Sequence, residues 1–296
     1  MSVTLLVDGN NCLVRSIKAM ERTNLSSHGV PTGAVLTFIN MLSRYVKEVE
    51  PTHVVVCWDG GVSTFRRSIF SGYKAARPER THEHDMTPFA LAKEFLSLAN
   101  IHHVEHPGVE ADDLVAAYCN RRLDPVVILS GDKDFLQLLE DEGPAPVSQI
   151  RPGTGVEETW TAKRVEHEME CKPAYIPKVM ALTGDSGDGI PGVPGFGTKT
   201  AVKALIAHDW NLGKLVYTDD PKWAKKVGGF HDLIALNLRL VNLREPMFVL
   251  DVPPLPRFEP TPPPGALAPT LLGFLERWEL ASVRERFVTG TLWKER

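Results

Sequence analysis

Val109-Glu110-Ala111-Asp112-Asp113-Leu114-Val115-Ala116-Ala117-Tyr118 places three carboxylates within four residues, directly ahead of an apolar run. The run has helical composition, which puts the acids in a first helical turn, where the positive end of the helix dipole favours them. One or two acids satisfy such a start. A third leaves excess negative charge against a segment that reads as buried, and charges packed this closely repel unless a cation neutralises them. The stretch is either an ordinary acidic helix start or one wall of a cation site. Other acids arriving at the same place would decide between the two.

Three further segments aim acids in the same way. Val3-Thr4-Leu5-Leu6-Val7 runs into Asp8-Gly9, Val54-Val55-Val56-Cys57-Trp58 into Asp59-Gly60, and Val126-Val127-Ile128-Leu129 into Gly131-Asp132-Lys133-Asp134. Each is short, continuously apolar and rich in β-branched residues, as expected of strands buried on both faces of a parallel sheet. A lone Asp-Gly after a strand is usually a turn. Ligands of open α/β sheets, however, bind beyond the carboxyl ends of the strands, and three such ends plus the acidic helix start point to one edge.

Composition sets the frame. The 296 residues, 43% hydrophobic and 24% charged, describe a globular protein of one or two domains. No apolar run approaches the roughly 18 residues of a membrane helix, and the chain enters its first strand without a signal-peptide pattern, so a cytoplasmic protein is expected. Cys12, Cys57, Cys119 and Cys171 show no paired spacing and read as reduced thiols. The net charge of −4 is not that of a basic protein. Setting aside the nine acids argued here, Asp185 and Asp188 included, turns −4 into +5, so charge does not exclude nucleic acid.

Between the first two strands, residues 32–49 carry Val35, Phe38, Ile39, Leu42 and Val46 at helical spacing, which predicts a crossover helix. Residues 64–80 hold Arg66, Arg67, Lys74, Arg77 and Arg80 against the single acid Glu79, with Phe65, Phe70 and Tyr73 interleaved. That mixture suits phosphate contact plus base stacking, or else a solvated helix face with its aromatics packed inward. His82 and His84, then His102, His103 and His106, lack cysteines or acids at zinc spacing and read as loop histidines. Residues 86–99 predict another amphipathic helix, residues 140–154 a Gly/Pro-rich loop, and residues 161–170 and 174–182 two helices.

Leu182-Thr183-Gly184-Asp185-Ser186-Gly187-Asp188-Gly189-Ile190-Pro191-Gly192-Val193-Pro194-Gly195-Phe196-Gly197-Thr198-Lys199-Thr200-Ala201 then sets two carboxylates three apart before a Gly/Pro hairpin and a helix beginning near Thr198. Glycines allow close backbone approach, and free N–H groups at a helix start bind phosphate. Residues 199–229 add six lysines against three aspartates, which fits contact with a duplex backbone without reading of its sequence. The proline-rich residues 253–269 read as extended, and 269–287 as one closing packing helix.

Leu6-Val7-Asp8-Gly9, Trp58-Asp59, Tyr73-Lys74-Ala75-Ala76-Arg77-Pro78, Glu110-Ala111-Asp112-Asp113, Ser130-Gly131-Asp132-Lys133-Asp134 and the stretch from Gly184 to Ala201 together resemble, in order and spacing, the bacterial and phage 5′-nucleases. These are the flap endonuclease/5′→3′ exonuclease family, which includes the 5′-nuclease domain of bacterial DNA polymerase I. The resemblance implies an α/β fold: a PIN-like nuclease core with a parallel central sheet and a helical arch over about residues 62–100, together 1–158. A helical region, 159–296, would follow, carrying a helix-hairpin-helix element, the Pro-rich segment and the closing helix. It also implies one divalent metal held mainly by Asp8, Asp59, Glu110 and Asp112, and a second associated with Asp113, Asp132, Asp134, Asp185 and Asp188. Lys74 and Arg77 match arch residues that engage the scissile phosphate, and Tyr73 an aromatic near the reacting nucleotide. Arg66, Arg67, Gly192, Gly195, Gly197 and Lys199 fall to DNA binding, with a potassium ion at the hairpin. Trp58 replaces the usual Phe, Ala76 the usual Asn, and Gly187-Asp188-Gly189 a Ser-Asp-Asn. No polymerase domain follows, so a free-standing nuclease is expected; a monomer is expected as well.

Oxygen-only ligands select a hard cation, Mg²⁺ or Mn²⁺, over zinc. The expected reaction is hydrolysis of DNA at 5′ flaps and 5′ ends, leaving 5′-phosphate and 3′-hydroxyl. Three rivals stay open: a PIN-type ribonuclease, a non-catalytic structure-specific DNA-binding protein, and a phosphatase with Asp8 as nucleophile. The last would leave the nucleic-acid elements without a role.

Overall fold

The computed structural model describes residues 2–21, 23, 25–76, 83–152, 158–244, 250–259 and 267–294, with the backbone alone at 83–86 and 267. Six strands, β1 (Thr4–Asp8), β2 (His53–Trp58), β3 (His102–Glu105), β4 (Val126–Leu129), β5 (Val147–Arg151) and β6 (Glu158–Trp160), form one sheet in the order β3-β2-β1-β4-β5-β6. Pairings from β3 through β5 are parallel, with Leu6 opposite Val55 and Ile128. Among the described strands only β6 is antiparallel, so the sheet is mixed at one edge rather than wholly parallel. After β3 the chain returns to the other side of β1, and the β1/β4 seam becomes the switch point beyond which ligands bind.

Successive strand residues face opposite sides, and both sides are covered. Leu5, Val7, Val54, Val56 and Trp58 join a core shared with α1 (Gly9–Met20), α2 (Gly33–Val49) and α4 (Glu83–Leu98). The helix α3 (Thr64–Ile69) lies between β2 and α4 in the chain. Leu6, Val55, Cys57 and Ile128 join a second core with α5 (Ala111–Asn120), α6 (Ala162–Met169), α7 (Ile176–Thr183), α8 (Thr198–Ile206), α9 (Leu212–Val216), α10 (Pro221–Val227) and α11 (His231–Val241). The last helices, α12 (Leu267–Arg277) and α13 (Ala281–Val288), return to the first core through Leu271, Phe274, Leu275, Val283 and Phe287. The C-terminal end thus closes the face built by the N-terminal half.

Several expectations need correction. The Gly/Pro-rich stretch 140–154 contains β5, a full partner of β4. Prolines at 146 and 152 flank it and only Val147 and Ile150 are strongly apolar, so neither period nor composition marks it. His102 and His103 sit on the edge strand β3, not in a loop. The closing helix is two helices, broken where Glu279 adopts φ 55°. Within the expected arch, residues 77–82 lie outside the described residues, and α4 is a core helix from Phe89 onward, with Phe89, Ala92, Phe95 and Leu96 buried. All four cysteines are buried and unpaired. No described helix is long and apolar enough to cross a membrane.

Candidate metal centre and nucleic-acid interface

Parallel strands end at a common edge, and the acids after them meet there. A cleft of about 940 Å³ is lined by Asp8, Asp59, Glu110, Asp112, Asp132, Asp134, Asp185 and Asp188. Asp8 closes β1 and caps α1: its Oδ1 accepts the Asn11 N–H (3.0 Å), its Oδ2 the Ser130 hydroxyl (2.9 Å). Asp59 follows β2; its Oδ1 accepts the Ala111 N–H at the start of α5 (2.8 Å), which ties two acidic segments together. Asp132 caps the 3₁₀ turn Lys133–Leu138 by accepting the Asp134 N–H (3.0 Å). Asp134 Oδ1 is buried without a hydrogen-bond partner among the described residues. Asp185 accepts from the Gly187 N–H (2.8 Å) and pairs with Lys133 (3.3 Å). The Asp188 carboxylate lies 3.2 Å from the Tyr73 hydroxyl and 3.7 Å from Lys74 Nζ.

Asp113 is the acid that does not line this cleft. Both its oxygens accept from Arg66, at 2.7 Å each, and Arg66 Nη1 also donates to Glu110 Oε2 (2.9 Å). Glu110, Asp112 and Asp113 bring oxygens within 4.8 Å of one another, a spacing that could hold an ion. Arg66 already balances much of that charge. This corrects the expectation for Arg66: it is 5% exposed, its Nε donates to the Leu240 carbonyl (2.9 Å), and it cannot reach a DNA backbone. Burial opposes its charge, but Asp112 and Asp113 outweigh burial and hold the guanidinium protonated.

Tyr73 is also internal, 1% exposed, and its hydroxyl donates to Glu110 Oε2 (2.7 Å). Its hydroxyl thus meets the carboxylate cluster while its ring is buried. Lys74 adopts φ 51°, donates Nζ to Glu110 Oε1 (2.5 Å), and lines the cleft together with the exposed Arg67. Arg77 lies outside the described residues.

Burial and crowding raise the acids. Asp8 is pushed up to about 7, chiefly by burial and then by Asp59 and Asp132, against its two hydrogen bonds. Asp134 is raised by burial, Asp132 and Asp185; Glu110 by burial and Asp112 against Lys74 and Arg66; Asp132 mainly by burial. These are carboxyls whose folded pKa exceeds the unfolded one, so between about pH 4 and 7 they bind more protons in the folded chain, and their contribution to stability falls as pH rises. With a chelator present, the melting temperature should drop from pH 5 to pH 8, and an added divalent cation should restore more of it at pH 8. A rise over that range would contradict the burial of these acids.

The hairpin before α8 hangs from the same cluster. The Lys74 N–H donates to the Asp188 carbonyl (2.8 Å). Beside it Gly189, at φ 74°, lies so close to Gly72 that a Cβ would stand 2.9 Å from the Gly72 carbonyl oxygen, so the glycine in place of Asn suits this approach. Gly192 serves packing: a Cβ there would meet the Thr183 carbonyl oxygen at 2.2 Å. Gly195 and Gly197 are exposed, Gly197 caps α8, and Lys199 is exposed in its first turn. Lys203, Lys214, Lys222 and Lys225 are exposed in the same helical region. Trp58, the replacement for Phe, is fully buried against Phe38 (5.9 Å) and Phe89 (6.1 Å). Ala76 is exposed.

Sequence reasoning did not assign roles to Asn10, Asn11 or Ser130. Asn10 Oδ1 accepts the Asp59 N–H and Asn11 Oδ1 the Gly131 N–H, both at 2.9 Å, so the first turn of α1 staples the ends of β2 and β4. Asn and Ser beside a strand end are ordinary turn residues, and only their position beside Asp8 after β1, or ahead of Asp132 after β4, could have singled them out.

Two family models cover most of the chain. Residues 3–170 match the 5′-3′ exonuclease N-terminal resolvase-like domain, and residues 171–254 the 5′-3′ exonuclease C-terminal SAM fold. A 5′-3′ exonuclease of Bacillus subtilis (strain 168) is 36% identical over 211 residues, 69% of this chain and 70% of that protein. DNA polymerase I of Mycobacterium tuberculosis (strain ATCC 25618 / H37Rv) is 34% identical over 257 residues, 84% of this chain but only 27% of the polymerase. Among solved structures, the T5 D15 protein co-crystallised with metal ions superposes with a TM-score of 0.64 at 21% identity over 98% of both chains. The catalytic core of Rad2 in complex with DNA substrate gives 0.62 at 15% identity, over 98% of this chain and 92% of that one. Those two likenesses establish the shared fold.

Proposed function

The chain belongs to the 5′-3′ exonuclease family, and from that premise we propose that this nuclease hydrolyses DNA at 5′ flaps and 5′ ends with two divalent cations, leaving 5′-phosphate and 3′-hydroxyl. The observation that carries the reading is the convergence of eight carboxylates with Lys74 in one cleft. The donor set is all oxygen, which suits Mg²⁺ or Mn²⁺. The fit is supported by Asp134 Oδ1, a buried acceptor without a hydrogen-bond partner among the described residues, and by the upward pressure on the Asp8 and Asp134 carboxyls. Asp8, Asp59, Glu110 and Asp112 would hold one ion, and Asp132, Asp134, Asp185 and Asp188 the other, some through water, with Asp113 serving as the Arg66 counter-ion. When bound, such a pair supplies an activated water and neutralises charge on the phosphate and the leaving oxygen.

The chain's own groups do the rest. Lys74 places an ammonium at the cleft, where a phosphate gains negative charge, and Arg77 follows three residues on. Arg67 adds a second cation at the rim. The exposed N–H groups at the start of α8 and the lysines beyond it grip a duplex backbone, with a potassium ion at the Gly192–Gly197 hairpin. DNA is thus the partner, and a monomer suffices.

The test is a labelled 5′-flap duplex incubated with Mg²⁺, with product ends identified and an RNA flap in parallel. Cleavage of DNA over RNA, leaving 5′-phosphate, is expected; preference for RNA would favour the ribonuclease reading, and metal-independent binding without cleavage the binding-protein reading. Lys74→Ala should lower single-turnover cleavage roughly 10²-fold with duplex binding retained. Undiminished turnover would remove Lys74 from the reaction.

A further inference from the structure

We propose that Gln149 and Arg151, on β5, are positioning residues for Asp132, an inference that rests on the nuclease reading above. Val147, Gln149 and Arg151 alternate onto one face of their strand. Gln149 is 0% exposed. Its Nε2 donates to the Ser130 carbonyl (2.8 Å) and to the Asp132 carbonyl (2.6 Å), while Arg151 Nη2 donates to the Gly131 carbonyl between them (3.0 Å). Three consecutive carbonyls of the loop that delivers Asp132 are therefore held by two side chains of the neighbouring strand.

The N–H groups of that loop are taken as well. Ser130 donates to the Ile150 carbonyl (3.2 Å), Gly131 to Asn11 Oδ1 (2.9 Å), and Asp132 to the Ser130 hydroxyl (3.0 Å). Every backbone polar group of 130–132 has a partner, which leaves the Asp132 carboxylate little freedom to wander. Arg151 is itself held, with its guanidinium 5.4 Å from the centroid of the Trp160 ring, and Trp160 pairs with Gln149 across β5 and β6. The antiparallel edge strand thus backs the arrangement.

One feature separates positioning from packing. Gln149 Oε1 is buried with no hydrogen-bond partner among the described residues. A valine or leucine would fill a core-facing strand position without stranding a buried acceptor, which is unfavourable. The amide at 149 supplies two donors that an apolar residue lacks, and they go to the carbonyls of Ser130 and of Asp132 itself. A sequence scan for carboxylates passes over it because neither glutamine nor arginine is a metal ligand. Outer partners of this kind nevertheless fix how ligands present themselves, and their loss typically weakens metal binding 10- to 100-fold.

The experiment titrates the 296-residue chain with Mn²⁺ alone, without DNA, and follows free Mn²⁺ by electron paramagnetic resonance. Wild type, Gln149→Met and Arg151→Met are compared, each with its melting temperature. Gln149→Met should weaken the weaker Mn²⁺ site roughly 10- to 100-fold, and Arg151→Met should shift it in the same direction by less. In flap cleavage the half-saturating metal concentration should rise in proportion while KM for DNA stays put, a split that general destabilisation would not produce. Isotherms that superimpose on wild type would overturn the positioning role alone. A wild-type chain that binds no Mn²⁺ would sink the metal-site reading beneath it as well. Should Gln149→Met fail to fold, the half-buried Arg151 decides: an unshifted isotherm for its variant overturns the proposal.

Discussion

Asp8→Asn is expected to lower flap cleavage by roughly 10²- to 10³-fold and yet to leave the protein as stable as wild type, or more so, at pH 8. The two halves of this expectation have one cause. Asp8 is 7% exposed, and burial pushes its carboxyl up to about 7, so keeping it ionised at pH 8 costs folding free energy. Asparagine retains Oδ1 for the Asn11 N–H and so keeps the cap of α1. Its amide meets the Ser130 hydroxyl, which can turn to accept. The charge disappears while the shape stays, and with the charge goes a ligand that nothing else at the end of β1 replaces. Single-turnover cleavage and a melting curve, both at pH 8, measure the two outcomes. Activity within tenfold of wild type would remove Asp8 from the metal site, and a large drop in melting temperature would contradict the burial cost.

Arg66→Met should do the opposite, with stability as the main loss. Arg66 holds both oxygens of Asp113 and one of Glu110, and all three side chains are almost wholly buried. A methionine fills comparable volume but leaves two carboxylates without their counter-ion, a loss of about 3–5 kcal/mol. The sign of its pH dependence follows from the acids left behind. Without the guanidinium their folded pKa rises further, so the deficit is largest at high pH and shrinks as they protonate toward pH 5. Urea unfolding of both proteins at pH 5 and pH 8 measures it. A deficit under 1 kcal/mol at pH 8, or one that grows on acidification, would show that the Arg66 pairs are not what stabilises this region.

The two substitutions also show how far the chain can be read by eye. Asp8, Asp59 and Asp132 were legible because each follows an apolar β-branched run, and parallel strands put their ends on one edge. Arg66 was not. It sits in a basic, aromatic stretch that composition assigns to a solvated or DNA-facing surface, and its partners are 44 and 47 positions away. The contacts of Tyr73, at Glu110 and Asp188, are likewise far along the chain and invisible to local pattern. β5 escaped because its apolar residues are sparse and its significance comes from β4 beside it.

The amino-acid sequence by itself determined the α/β class, the buried strands, the carboxylate inventory and the family, because each is written in local pattern: period, branching, and acids at fixed offsets from strand ends. Only the tertiary structure decided which acids face the cleft and which is neutralised by Arg66. It also decided that the C-terminal helices complete the core of the N-terminal half, and that Gln149 holds the loop of Asp132. Those outcomes depend on which distant groups are desolvated together, and the energy of a buried charge or amide is set by its neighbours in space rather than by its neighbours in the chain.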